Sequence, residues 1–148
     1  TGAVNMHTLL DYDCLLPKFV NITDGKRSDN KATFDIEIKP HSIVVADRGY
    51  CDYGLLNHWD SNNVFYVGRH KDNIRYRTIE ELPLPKQHTQ NVLMDESIAF
   101  GLPAAKEKFP KRLKRIAVWN DEHGFVIELL TNNFTLAAST IAKLYKAR

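Results

Sequence analysis

Cysteine and long apolar segments are scarce in this chain of 148 residues. Its two cysteines, Cys14 and Cys51, are too few for a disulfide framework or a four-cysteine zinc site, so we interpret both as free thiols. The longest apolar runs, such as Ile43–Ala46, fall far short of the roughly 20 residues that span a bilayer. The first residues also lack the charged opening and continuous apolar segment of a secretory signal. These absences favour a cytosolic protein with no membrane partner.

Several cofactor-binding patterns are also absent. The six histidines are scattered without zinc-ligand spacing, and neither a phosphate-binding Gly-Lys-Ser/Thr loop nor a dinucleotide-binding glycine pattern occurs. ATP, NAD and zinc are therefore not expected. The residues that are present, 43% hydrophobic and 26% charged, have the balance of an ordinary globular domain. The net charge of +2 is too small to indicate nucleic acid by itself.

The first third of the chain predicts a hairpin and a short helix. Val4–Leu10 and Leu15–Thr23 alternate loosely between apolar and polar residues around a turn, as the two strands of a hairpin do. Ser28–Ile36 offers a capping residue followed by apolar residues at helical spacing, which predicts a short helix.

An apolar strand with a carboxylate at its end is the sharpest local feature. Ile43–Ala46 is uninterrupted and apolar, which is typical of a strand buried on both faces, and Asp47 follows it directly. A helix from Tyr53 to Ser61 and a strand from Val64 to Val67 come next, so we expect a parallel crossover. Asp47 should then lie where open α/β sheets bind their ligands.

The second half of the chain has a different sequence pattern from the first. Prolines interrupt short β-prone pieces between residues 68 and 130, which predicts a β-rich insertion. Its last part, on either side of the turn Asp121–Gly124, has the pattern of a hairpin. A closing helix is predicted from Leu136 to Arg148, and no glycine or proline follows to end it.

Two interpretations of Asp47 follow from the residues alone. A strand-end carboxylate suits a hard cation such as Mg²⁺, which takes oxygen ligands. Alternatively, the same aspartate caps a helix or closes a turn. The local pattern by itself favours the second interpretation, because a single aspartate at a strand end is common.

Five ordered blocks carry a resemblance to a known family and cover nearly the whole chain. They are Gly2–Asp11, Val20–Lys26, Ile43–Tyr50, Leu130–Phe134 and Thr140–Arg148. Together they resemble the DDE transposases of bacterial insertion sequences, in the IS-four-like branch. The resemblance implies an α/β fold, a ribonuclease-H-like mixed sheet with flanking helices and with the β-rich insertion before the last helix. It also implies a bacterial protein associated with the nucleoid.

The resemblance further implies a metal-dependent enzyme. In that family two aspartates and one glutamate hold two Mg²⁺ (or Mn²⁺) ions, and Asp47 matches the second aspartate as catalytic residue and metal ligand. The first aspartate would lie on a strand upstream of Thr1, and the glutamate shortly beyond Arg148. The complete protein would therefore cleave DNA at transposon ends and transfer strands, whereas this chain alone is expected to be inactive and to bind no metal.

Double-stranded DNA, as transposon ends and as target, is the partner that the resemblance implies. Tyr145 and Arg148 match a Tyr-x-x-Arg pattern, which would place them near DNA phosphates; a core tyrosine and a solvated arginine are the alternative. The basic stretch that includes Lys111, Arg112, Lys114 and Arg115 could contact the DNA backbone or could be a solvated face. A weaker basic candidate comprises Arg69, Lys71, Arg75 and Arg77.

Two further expectations concern assembly and the rival functions. In the related fold, a strand bearing the first aspartate lies between the hairpin and the Ile43–Ala46 strand. We therefore expect the hairpin either to close directly on Ile43–Ala46 or to recruit a second molecule as a homodimer, since exposed strand edges tend to pair. The rival functions are a non-catalytic DNA-binding or assembly module, a remnant of a decayed element, and another metal nuclease of this fold.

Overall fold

The computed structural model describes residues 6–9, 19–22, 38–46, 53–70, 74–84 and 91–147. In those ranges the strands are β1 Met6–Leu9, β2 Phe19–Ile22, β3 Ile43–Ala46, β4 Phe65–Arg69, β5 Tyr76–Glu81, β6 Val92–Phe100, β7 Leu113–Asn120 and β8 Phe125–Thr131. The helices are α1 Tyr53–Ser61, α2 Pro103–Lys108 and α3 Ala138–Lys146. None of these helices is long and apolar enough to cross a membrane.

All the described strands join one mixed sheet in the order β1-β2-β3-β4-β8-β7-β6-β5. The strands β2, β3 and β4 run parallel to one another. The remaining neighbours pair antiparallel. A mixed sheet with helices packed on it is the α/β architecture that the sequence predicts.

The strand β3 is buried on both faces, as predicted, and each of its residues is at most 1% exposed. Val44 and Ala46 pack in a first core with Leu55, Leu56 and Trp59 of α1. Ile43 and Val45 pack in a second core with Ile141, Ala142 and Tyr145 of α3. Successive side chains of a strand point to opposite faces, so the short apolar run supplies both cores at once.

The predicted crossover from β3 through α1 to β4 is confirmed. The two strands are parallel and in register, with Ile43 opposite Phe65 and Ala46 opposite Gly68. The helix α1 has the predicted bounds, Tyr53–Ser61, and packs against β4. Both strands therefore end at the same edge of the sheet, which we call the carboxyl edge.

The predicted N-terminal hairpin is also confirmed, because β1 and β2 pair antiparallel. The strand β2 pairs directly with β3, from Phe19 opposite Ile43 to Ile22 opposite Ala46. Of the two expected outcomes for this hairpin, direct closure on β3 is the one observed. The helix predicted at Ser28–Ile36 lies outside the described residues.

The β-rich second half forms an antiparallel series from β5 to β8, and β8 joins it to β4. The predicted hairpin is present: β7 and β8 pair along their length, and Gly124 has a φ of 68° in the turn. The short helix α2 was not anticipated, although a proline at its first turn followed by two alanines is a recognisable start. The insertion bounds of 68 and 130 stay a prediction.

Asn132, directly after β8, joins three elements through its side chain. Its Oδ1 accepts a 2.6 Å hydrogen bond from the backbone N–H of Tyr66. Its Nδ2 donates to the backbone oxygen of Val64 and to Oδ1 of Asp60, both at 3.0 Å. The neighbouring Asn133 accepts from the backbone N–H groups of Thr135 and Leu136, just before α3. The asparagine pair therefore fixes how β8 leads into α3.

Asn132→Ala is expected to lower the free energy of unfolding by about 2–3 kcal/mol, because it removes three hydrogen bonds and leaves partly buried backbone groups unpaired. Urea unfolding measures the change. The matched control is Asn62→Ala, which removes one exposed bond from Nδ2 to the backbone oxygen of His58. Equal losses in the two variants would contradict the assigned role of Asn132.

Candidate functional site

The carboxyl edge of the sheet is where the sequence places its candidate carboxylate. Ala46, the last residue of β3, is fully buried and lies opposite Gly68 of β4. Asp47 follows Ala46 in the sequence but lies outside the described residues. Its role as metal ligand and catalytic residue therefore stays a prediction, and the structure establishes only that a buried central strand leads directly to it.

A cleft of about 900 Å³ opens beside this edge. One wall is the end of α3, with Lys143, Tyr145 and Lys146. The β7–β8 hairpin contributes further lining residues, including Trp119 and residues of the turn, and Arg69 at the end of β4 also lines the cleft. The cleft thus lies on the α3 face of the sheet, where β4 ends.

Tyr145 takes part in both the core and the cleft. It is 5% exposed and packs in the second core with residues such as Ile43 and Val67. It also lines the cleft. The core interpretation of this tyrosine is therefore confirmed, and its contact with DNA stays a prediction. Arg148 lies outside the described residues.

Lys111 and Arg112 are exposed at the start of the predicted basic stretch. The ammonium of Lys111 lies 2.7 Å from Oδ2 of Asp60, and the lysine side chain keeps 59% of its surface exposed. A surface ion pair of this kind is worth little and opens readily. Both residues are therefore accessible to a phosphate.

Lys114 is buried, in contrast. It is 4% exposed, its ammonium lies 3.4 Å from Oδ2 of Asp95, and it donates a 3.0 Å hydrogen bond to the backbone oxygen of Leu136. Burial raises the pKa of the Asp95 carboxyl, and the adjacent Lys114 partly offsets the increase. The lysine therefore serves as the counter-charge of a buried carboxylate.

Arg115 is buried on the opposite face of the sheet from Lys114, among acidic partners. Its guanidinium contacts Glu128 and lies 3.3 Å from Oε1 of Glu96. It also stacks over the Tyr76 ring, 5.0 Å from the ring centroid. Glu128 in turn lies 3.2 Å from Nε2 of His70, which follows β4. Arg115 therefore ties together strands β5 to β8.

The four basic residues between positions 111 and 115 therefore do not share one surface. Lys114 and Arg115 are consecutive residues of β7, so they point to opposite faces of the sheet. Each is enclosed and paired there, and neither can reach a phosphate in solvent without leaving its partner. DNA binding by the four residues stays a prediction, with geometric support only for Lys111 and Arg112.

The residues of the weaker basic candidate also differ in their surroundings. Arg75 and Arg77 are exposed on and beside the edge strand β5, whereas Lys71 lies outside the described residues. Arg69 alone lines the cleft, with its guanidinium 5.2 Å from the centroid of the Phe125 ring. The sequence analysis did not anticipate the hairpin wall of the cleft, because nothing local places residues 119–125 beside α3.

The described part of the chain contains no group of three or more histidine, cysteine, aspartate or glutamate residues that could hold a metal ion. Asp95, Glu96 and Glu128 are instead paired with Lys114 and Arg115. The described residues alone therefore do not form a site of this kind.

Comparison with known proteins identifies the family. The family model described as "Transposase DDE domain" matches residues 1–148. A Sinorhizobium fredii protein named as transposase y4zB is 28% identical over 98% of this chain, and a Geobacillus stearothermophilus protein named as the transposase for insertion sequence element IS5377 is 26% identical over 99%. In both names the assignment as a transposase is provisional.

The chain spans about two fifths of the length of these relatives, 41% and 38% respectively. No solved structure is found to match it. The family model covers every residue, and the mixed sheet with flanking helices agrees with the ribonuclease-H-like α/β fold expected of that family. The chain belongs to the transposase DDE domain family.

Proposed function

We propose that the whole protein carries out DNA transposition, by metal-dependent cleavage of DNA at the ends of its element and transfer of the freed 3′-hydroxyl to target DNA. One observation supports the proposal beyond family membership. The fully buried strand β3 leads directly into Asp47, at an edge of the sheet that borders a 900 Å³ cleft. A carboxylate at that place suits a site for the DNA backbone and its metal ions.

The position of β3 beside the cleft also supports the proposal. Ile43 and Val45 pack against α3, on the same side of the sheet as the cleft. Mg²⁺ or Mn²⁺ prefers carboxylate oxygens, and such ions activate the attacking hydroxyl and stabilise the leaving oxygen when they are bound. One carboxylate is too few to hold two ions, so the proposal requires two further carboxylates beside Asp47.

The other assigned residues serve DNA binding in this proposal. Tyr145 and Arg148 would adjoin the scissile strand at the end of α3, where Tyr145 already lines the cleft. Lys111 and Arg112 would contribute exposed positive charge. Lys114 and Arg115, which are buried, would act through the fold and not by contact with DNA.

The direct test is a nicking assay on DNA that carries the inverted repeats flanking the gene. The whole protein should nick at the element ends in Mg²⁺, whereas residues 1–148 alone should bind DNA weakly and leave it intact. Nicking by the 148-residue chain itself, after contaminating nuclease is excluded, would contradict the proposal. Binding without nicking by the whole protein would favour the rival function, a non-catalytic DNA-binding module.

A further inference from the structure

The cleft brings together cations that have no carboxylate partner among the described residues. Lys143 and Lys146 are exposed, one turn apart on α3, and both line the cleft. Within the described ranges neither lysine lies within 4 Å of a carboxylate oxygen, whereas Lys111, Lys114 and Arg115 all do. Their positive charge is therefore available to a ligand.

Arg69, the last residue of β4, provides a third cation in the lining of the cleft. Its guanidinium lies over the Phe125 ring at 5.2 Å, a distance at which cation and ring attract each other. His123 stacks on the same ring, with 5.8 Å between ring centroids. An arginine held in this way keeps its N–H groups in a fixed direction, and less freedom is lost when it binds a phosphate.

Two carboxylates of the hairpin turn also line the cleft. Asp121 accepts a 2.9 Å hydrogen bond from Nδ2 of Asn91. Glu122 is 81% exposed, and its Oε2 lies 4.0 Å from Nε2 of His123. These two carboxylates offset part of the positive charge of the cleft, but Arg69, Lys143 and Lys146 outnumber them, so three cations against two carboxylates leave the lining with a formal net charge of +1 when His123 is counted as neutral.

We propose that Arg69, Lys143 and Lys146 bind phosphate groups of a DNA strand that runs along the cleft. The inference rests on the proposed function and deepens it, because it moves the main DNA contact from the stretch 111–115 to the α3 face. Three cations that line one cleft can contact successive phosphates of a strand, whereas the cations of β7 are separated by the sheet. Each phosphate contact releases bound counterions and makes the affinity depend on salt.

The salt dependence of binding tests the proposal. Affinity of the 148-residue chain for a short duplex is measured by fluorescence anisotropy at several salt concentrations. Lys143→Gln combined with Lys146→Gln should weaken binding and reduce the slope of log K against log salt by about 1.8, at about 0.9 for each phosphate contact. Arg69→Gln should reduce the slope by about 0.9. Circular dichroism checks that the variants are folded.

A matched pair of lysines provides the control. Lys106 and Lys108 of α2 are exposed and lie outside the residues that line the cleft, so Lys106→Gln with Lys108→Gln makes the same change in net charge. This pair should leave the slope nearly unchanged. If it lowers the slope as much as the α3 pair, binding follows net charge alone and the proposal is overturned.

The two tryptophans give a second, independent measurement. Trp119 lines the cleft and is 39% exposed, whereas Trp59 is 2% exposed in the first core. DNA in the cleft should protect the fluorescence of Trp119 from quenching by acrylamide, and Trp119→Phe should abolish this DNA-dependent change. Binding that leaves the quenching of Trp119 unaltered overturns the cleft assignment but not the proposed function. Complete absence of DNA binding by the 148-residue chain at low salt also overturns the cleft assignment, whereas nicking by the whole protein decides the proposed function separately.

Discussion

Arg115→Ala is expected to lower the free energy of unfolding by roughly 3–5 kcal/mol, because removing one partner of a buried ion pair leaves the other charge uncompensated. Glu96, whose side chain is 6% exposed, would keep only the hydroxyl of Thr78 as a described partner, and the Tyr76 ring would lose the guanidinium that covers it. Four strands meet at this arginine, so the loss should appear as a lower urea midpoint for the whole domain.

The control for this prediction is Arg112→Ala, three positions earlier and exposed. A surface substitution of this kind should change the free energy of unfolding by no more than about 0.5 kcal/mol. The opposite result, a stable Arg115→Ala protein with impaired DNA binding, would restore the interpretation of Arg115 as a direct DNA contact.

The local patterns of the sequence predicted the central part of the fold well. The apolar run Ile43–Ala46 and the helix Tyr53–Ser61 were placed with their observed bounds. The hairpins β1–β2 and β7–β8 were predicted from alternation and turn residues. Each of these features depends on residues close together in the sequence, where spacing and turn chemistry carry the information.

The surroundings of the charged residues were harder to predict from the sequence than the strands and helices. The stretch Lys111 to Arg115 suggested one basic patch, because a local pattern shows the sign of a charge but not its surroundings. Lys114 and Arg115 are enclosed by Asp95, Glu96 and Glu128, which come from two other strands. Long-range pairing of this kind leaves no local signal, and alternation along β7 would have been the one clue that the cations diverge.

The candidate site was predictable only in part. The position of Asp47 after a buried strand follows from the sequence, and so does the closing helix that carries Tyr145. The cleft could not be predicted from the sequence. Its lining comes from Arg69, from residues 119–127 and from residues 142–146, which the sheet order brings together. The antiparallel series from β5 to β8 carries the hairpin that lines the cleft together with α3.

The largest effect on activity is expected from Asp47→Asn in the whole protein. An amide oxygen is neutral and a weaker ligand for Mg²⁺ than a carboxylate, so metal held at the carboxyl edge should be lost or displaced. Nicking should fall on the order of a thousandfold or more, which corresponds to about 4 kcal/mol in activation free energy. DNA binding should persist, because the cations of the cleft are unchanged.

Glu80→Gln is the matched control, since it makes the same acid-to-amide change on the exposed edge strand β5 and should leave nicking intact. The decisive measurement is therefore the rate at which the whole protein and its Asp47→Asn variant nick end-containing DNA in Mg²⁺, with affinity for the same DNA measured in parallel. The account predicts a variant that binds normally and does not nick. A variant that nicks at the parental rate would show that Asp47 is not a catalytic carboxylate.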